Sequence, residues 1–315
     1  MVMTVGMCFA REFPGAAVTE FARRLDTGGV DELWLIEDCF YTTAPPLAAA
    51  ALATTERLTV GLGILPAVVR TAALTAMEIA TLASIAPGRV VGGIGHGVQS
   101  WMRQMGVATP SPLTTLDEVV TTVRRLLRGE TVSFRGREVT LEDVRLDHLP
   151  DPVPPVLAGV TGPKSLALAG RVADGIVLAG PSPVPYVAAA REQAAAGPDF
   201  RVTTFTTLAV ADDPADAYRA TAPHIADMLG SALLAPLPFL AELTARHARD
   251  GVDGIVTMPR DWWLQIGAIG TRDDALEHLT LLEAAGATGV AFFPSDDLAV
   301  ARRQVGDVIA LAAAR

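Results

Sequence analysis

Cysteine is nearly absent. The 315 residues hold two, Cys8 and Cys39, which form neither a disulfide framework nor a metal-binding pair and fit a reducing, cytoplasmic setting. Charge is scarce too: 19% of residues are Asp, Glu, Lys or Arg, and the formal net charge is −10. Such a chain lacks the basic surface that releases counterions from nucleic acid or docks on anionic lipid, so neither is an expected partner. A small anionic ligand stays open, because local amides and a few cations suffice to hold it. The N-terminal MVMTVGMCFAREF has no basic lead-in, and other apolar stretches such as TAALTAMEIATLASIA are short and interrupted. Neither a signal peptide nor a membrane span is expected. No Pro/Gly/Ser-rich linker or charge block divides the chain, and half of its residues are hydrophobic, so one domain over residues 1–315 is expected.

What is present is a repeated junction. TGGVDELWLIED, GRVADGIVLAG, RDGVDGIVTMP and AAGATGVAFFP each end a helical pattern on Gly, Asp or both and then enter a short β-branched or aromatic run. Glycine supplies the left-handed turn after a helix, and a continuous apolar run suits a strand buried on both faces. Strands are predicted near 2–7, 32–36, 58–63, 89–94, 155–159, 175–179, 202–210 and 289–293, with helical patterns between them. Eight strands alternating with helices favour an α/β fold of the (β/α)₈ TIM-barrel type over an open doubly wound sheet. Two insertions interrupt it. TVSFRGREVTL reads as a β-hairpin near 131–141. GVDGIVTMPRDWWLQIG, with a ninth strand candidate before Trp262 and Trp263, reads as a loop insertion near 251–270 over the barrel mouth.

In such a barrel the chemistry lies on loops leaving the C-terminal strand ends. Those ends offer no paired-carboxylate motif with an obvious base, no Ser/His/Asp spacing and no lysine within a barrel strand. A site so poor in catalytic side chains lets a cofactor carry the reaction. Two glycine loops then gain a role. GGIGHG and AGVTGPK both follow a strand and precede a helix, so bare N–H groups and the positive helix end border the mouth, with Lys164 adding a cation. GGIGHG lacks the spacing of a dinucleotide fold, and its glycines could equally make a tight turn. His96 has no second ligand at metal spacing, so no metal is expected and a polar contact to an anionic ligand or to the loop is the alternative.

VGLGILPAVVR, APGRVVGGIGHGVQSWMRQMG, LRGETVSFRGREVTL, PPVLAGVTGPKSLALAGRVADGIVLAG and IGTRDDALEHLTLLEAAGATGVAFFP occur here in that order. Together they resemble the luciferase-like oxidoreductases, above all the branch that uses the deazaflavin coenzyme F420, typified by methylenetetrahydromethanopterin reductase. The resemblance spans nearly the whole chain and is more specific for the superfamily than for the cofactor. It implies a barrel with insertions, a homodimer, and a non-proline cis peptide between Gly63 and Ile64 that backs the cofactor ring beside Leu65. It also implies that Gly95, His96, Gly97 and Val98 border the cofactor tail, and that Gly159, Val160, Thr161, Gly162 and Lys164 hold its phosphate. The branch's Asp-His after the second strand is matched by Asp38 and Cys39, and its glutamate at the first strand end by Cys8. At these two positions the chain departs from the reductase pattern.

The reading that results is hydride transfer between C5 of F420 and a small organic substrate, with Asp38 or Glu37 as the acid–base group and Cys39 beside them. Both carboxylates could equally cap the next segment, and either cysteine could be a small buried hydrophobe. Three rivals stand: an FMN-dependent monooxygenase or reductase on the same barrel, a non-redox aldolase or isomerase acting on a sugar phosphate, and a non-catalytic binding protein.

Overall fold

The computed structural model describes residues 2–315. Its strands are, in chain order, β1 (Thr4–Phe9), β2 (Glu32–Leu35), β3 (Thr59–Pro66), β4 (Val90–Gly95), β5 (Val132–Arg135), β6 (Thr140–Val144), β7 (Val156–Gly159), β8 (Gly175–Pro181), β9 (Arg201–Val210), β10 (Ala268–Gly270) and β11 (Gly289–Phe293). Neighbours pair in the order β1-β2-β3-β4-β7-β8-β9-β11, and β11 returns to β1. Eight parallel strands thus close a barrel inside a ring of helices, the (β/α)₈ architecture expected. The last helix, Leu298–Ala313, had no counterpart among the expected elements; Asp297 caps it, accepting from the amides of Ala299 (2.8 Å) and Val300 (2.9 Å). Among the described residues no helix is long and apolar enough to cross a membrane.

The repeated junction has three different outcomes. Gly29 (φ 76°) and Gly286 (φ 94°) follow the helices Val18–Thr27 and Arg272–Ala284 in the left-handed region and release the chain toward β2 and β11. At Gly175 the reason is proximity instead: a Cβ there would lie 2.4 Å from the Arg201 carbonyl oxygen on β9. Gly251 ends the helix Leu240–Asp250, but a second helix follows it, not a strand. Over 251–270, where a loop with a strand candidate was expected across the mouth, the chain forms the helices Val252–Val256 and Arg260–Ile266 and then β10. The barrel wall has no vacancy there, because β9 and β11 already pair with each other. Ile255, Met258 and Trp263 bury instead in a satellite core with Ile225, Leu234 and Leu243. Tyr218 stacks on Trp263 at 4.6 Å and Phe239 on Trp262 at 4.4 Å, and residues 251–270 do not line the cavity described below.

β5 and β6 form an antiparallel hairpin outside the barrel. Glu118 fixes its turn by accepting from the amides of Arg137, Glu138 and Val139. The main core has two layers. Met7, Phe9, Leu33 and Leu35 face the helices, whereas Cys8, Trp34, Val91, Leu157, Val177 and Phe205 fill the barrel itself, the alternation that period-2 side chains impose.

Candidate active site

A cavity of about 1330 Å³ opens at the C-terminal strand ends. Its floor is apolar: Ile36, Ile64, Phe205 and Phe293 line it, with Phe205 packed edge-on between Trp34 (5.5 Å) and Phe293 (5.4 Å). The Gly63–Ile64 peptide is cis, at the position the resemblance indicated, and the β3–β4 register shifts there between Leu62 and Leu65. A second non-proline cis peptide joins Cys39 to Phe40.

Of the residues named from the sequence, Glu37, Asp38, Cys39, Gly63, Ile64, His96, Gly97, Val98, Gly159, Val160, Thr161, Gly162 and Lys164 all line this cavity. Cys8, Leu65 and Gly95 do not. β1 runs on to Phe9, so Cys8 is no strand-end residue; it is fully buried inside the barrel, and burial pushes its thiol pKa well up. Leu65 faces the helices. A Cβ on Gly95 would lie 2.6 Å from the Gly159 carbonyl oxygen and 2.8 Å from Ile64, and one on Gly159 would lie 2.5 Å from Ile64. These two glycines therefore make room for Ile64, and their bareness is a packing requirement before it is a ligand site. Gly162 differs: nothing lies within 4 Å of a Cβ placed there.

The two carboxylates after β2 have separate fates. Glu37 is buried and locked. Arg70 donates to both of its oxygens, with Nη2 to Oε2 at 2.9 Å, and the Ala44 amide donates to Oε2 at 2.9 Å. Arg70 also reaches Glu78 at 2.9 Å. Asp38 is more open; its Oδ2 accepts from Arg11 Nη1 at 2.8 Å. Arg11 in turn donates through Nε to Glu12 at 2.8 Å, and its Cζ lies over the Tyr41 ring, 5.0 Å from its centroid. Burial, then Glu37 and Asp38, raises the Cys39 pKa and so keeps its thiol protonated.

Across the mouth, His96 Nε2 lies 2.9 Å from Ser165 Oγ, while its Nδ1 is buried with no hydrogen-bond partner among the described residues. Burial holds this imidazole below its ordinary range. The helix Pro163–Val172 starts at Gly162 with no side-chain cap and no acidic residue in its first turn, so its leading amides are free for a ligand. Tyr186 Oη donates to the Thr161 carbonyl at 2.6 Å, anchoring this loop, and burial pushes the phenol up to about 12.

Sequence reasoning missed Arg11, Glu12, Ser165, Thr221, His224 and Gln304, all on the lining. Gln304, on the unforeseen last helix, accepts from the Ser295 amide at 2.7 Å and donates to the Leu208 carbonyl at 2.8 Å, tying the β9 and β11 ends together.

A family profile described as luciferase-like monooxygenase matches residues 3–289. A 5,10-methylenetetrahydromethanopterin reductase of Archaeoglobus fulgidus is 25% identical over 308 residues, 91% of this chain and 92% of its own. One from Methanolobus tindarius is 30% identical over 197 residues, 61% of this chain, and the match spans only 59% of that relative's length. The solved structure of the coenzyme F420-dependent tetrahydromethanopterin reductase from Methanopyrus kandleri superposes with a TM-score of 0.79 at 18% identity, covering 99% of this chain and 98% of that one.

Proposed function

We propose that this chain, which belongs to the luciferase-like monooxygenase family, is an F420-dependent oxidoreductase that transfers a hydride between the deazaflavin C5 and a small organic substrate. The supporting observation is one cavity with two unlike parts. A broad apolar floor suits a flat ring, and beside it lie the uncapped helix start at Gly162 and the exposed Lys164, with an orphaned His96 Nδ1 on the same rim. The residues present fit a ring with an anionic tail, and the reductase relatives add the deazaflavin by analogy.

When bound, the deazaflavin supplies the hydride donor or acceptor. The chain's own residues do the rest. Ile64, Phe205 and Phe293 present a dry surface that orients the ring. The amides of Lys164 and Ser165, with the Lys164 ammonium, hold the phosphate. Asp38 keeps Oδ1 free of protein partners among the described residues and exchanges the substrate's proton, while Arg11 steadies Oδ2. Glu37, spent on Arg70 and Ala44, positions the Asp38–Cys39 turn.

The protein acts as a homodimer on this reading. On the helix Ala72–Ile85, Leu74, Met77 and Ile85 stand exposed among the small polar side chains of Thr81 and Ser84, and Phe40 and Tyr41 are exposed after β2. These exposed apolar side chains suit burial against a second copy.

Titrating the cofactor-free protein separately with F420 and FMN tests the assignment. Saturable quenching of F420 fluorescence is expected; saturation by FMN alone would replace this reading with an FMN enzyme on the same barrel.

A further inference from the structure

The cavity carries two kinds of charge on opposite sides of the barrel. In the closed order of strands, β1 and β7 stand four places apart, directly across the mouth. The loop after β7 supplies the uncapped amides and Lys164, the chain's single lysine. The facing arc is built from the ends of β11, β1 and β2, and contributes Asp296, then Arg11 and Glu12, then Asp38.

On that arc the cation is already spoken for. Arg11 is the one arginine on the cavity lining among the described residues. Its Nε is 2.8 Å from Glu12, its Nη1 is 2.8 Å from Asp38, and its Cζ lies over the Tyr41 ring. Asp296 is exposed and makes no ion pair among the described residues. His224, from the helix Pro214–Met228 that follows β9, also lines the cavity and is exposed; apart from His96 and Lys164 it is the only other basic side chain on the lining among the described residues. A phosphate or carboxylate approaching here meets three carboxylates and a guanidinium whose charge is matched twice over. The free ammonium of Lys164 lies on the far rim.

We propose that the substrate brings no negative charge to this arc: it is an uncharged or cationic organic molecule, and Glu12, by holding Arg11 together with Asp38, is the residue that excludes phosphate esters and carboxylates. Recognition of an anion needs an available guanidinium or ammonium with free donors, and a like-charged lining penalises the wrong partner more than it rewards the right one. The inference rests on assigning the opposite rim to the cofactor tail.

The test uses the full chain, with F420 loading measured first by fluorescence quenching, and FMN in its place if only FMN binds. The loaded protein is then titrated with three probes of one skeleton, cyclohexanol, cyclohexylamine and cyclohexyl phosphate, followed through the bound cofactor's absorbance. In the wild type the phosphate ester should bind at least about 30-fold more weakly than the amine. Glu12→Gln, which releases Arg11, should shrink that gap to about fivefold or less while F420 affinity stays within about twofold, and Glu12→Asp should keep the wild-type ranking. A wild type that binds the ester as tightly as the amine or the alcohol overturns the proposal, and so does a Glu12→Gln variant whose ranking is unchanged or that binds no probe. Failure to bind either cofactor would instead remove the underlying assignment, and the proposal with it.

Discussion

The two ends of the barrel use acidic residues in opposite ways. At the foot four acidic side chains beside the strand starts are spent on the chain itself. Glu32, fully buried at the start of β2, accepts from Trp34 Nε1 at 2.7 Å and Thr4 Oγ1 at 3.0 Å and faces Arg201 at 3.7 Å. Asp31 accepts from the Val5 amide, Asp26 from the amides of Glu56, Arg57 and Leu58, and Asp174 from the Val156 amide while pairing with Arg124. These side chains complete the ladder where strands begin. At the mouth capacity is left over, in Asp38 Oδ1, Asp296, His96 Nδ1 and the amides after Gly162. These four are used up by the fold and the groups at the mouth are not, which is how a barrel divides stability from chemistry.

The sharpest way to break that contrast is Glu32→Ala. It strands the Trp34 and Thr4 donors in a sealed interior and should cost about 3–5 kcal/mol in chemical denaturation, leaving cofactor affinity of the folded protein within about twofold. A second stability effect needs no mutation. His278 is fully buried, its Nδ1 2.7 Å from the Leu264 carbonyl and its Nε2 3.0 Å from Thr206 Oγ1, and burial lowers its pKa to about 4. The unfolded chain takes up this proton near pH 6.5 and the folded protein only near 4. The contribution is therefore complete above about pH 6.5 and fades as pH falls toward 4, by about 3 kcal/mol. His278→Gln should flatten that part of a stability–pH curve.

At the mouth the same measurements should separate. Asp38→Asn should lower kcat about 100-fold with an unchanged melting temperature and cofactor Kd. Lys164→Ala should raise the cofactor Kd about tenfold, or about 1.4 kcal/mol, in a quenching titration and leave denaturation untouched. The smallest effect on the site belongs to the outer wall: Met77→Glu should shift sedimentation from dimer toward monomer with cofactor affinity per chain kept within about twofold.

The barrel was readable because its strands are apolar runs bounded by helix-ending glycines, and the expected 289–293 strand coincides with β11. Strand ends were harder. MVMTVGMCFA is apolar almost throughout, and a strand buried on both faces shows no alternation to mark its limit; placing β1 two residues early put Cys8 at the rim and hid Arg11 and Glu12. The last helix was legible in principle, since Asp297 precedes apolar positions Ala301, Val305 and Val308 at helical spacing. GVDGIVTM was not: its apolar run suits a strand equally well, and only the closed wall between β9 and β11 sends it into a helix. Within the site, the glycine loops were found but their reason was mixed, because contact with Ile64 is a tertiary fact that no local pattern carries.

That 24 of the 25 Lys and Arg residues are arginine, with the lone lysine at the cavity rim, gives the molecule a built-in reporter. An amine-directed label has one side-chain target, so the extent of modification on the peptide carrying Lys164, followed with and without ligand, would read occupancy of the mouth apart from any reaction at the N-terminal amine.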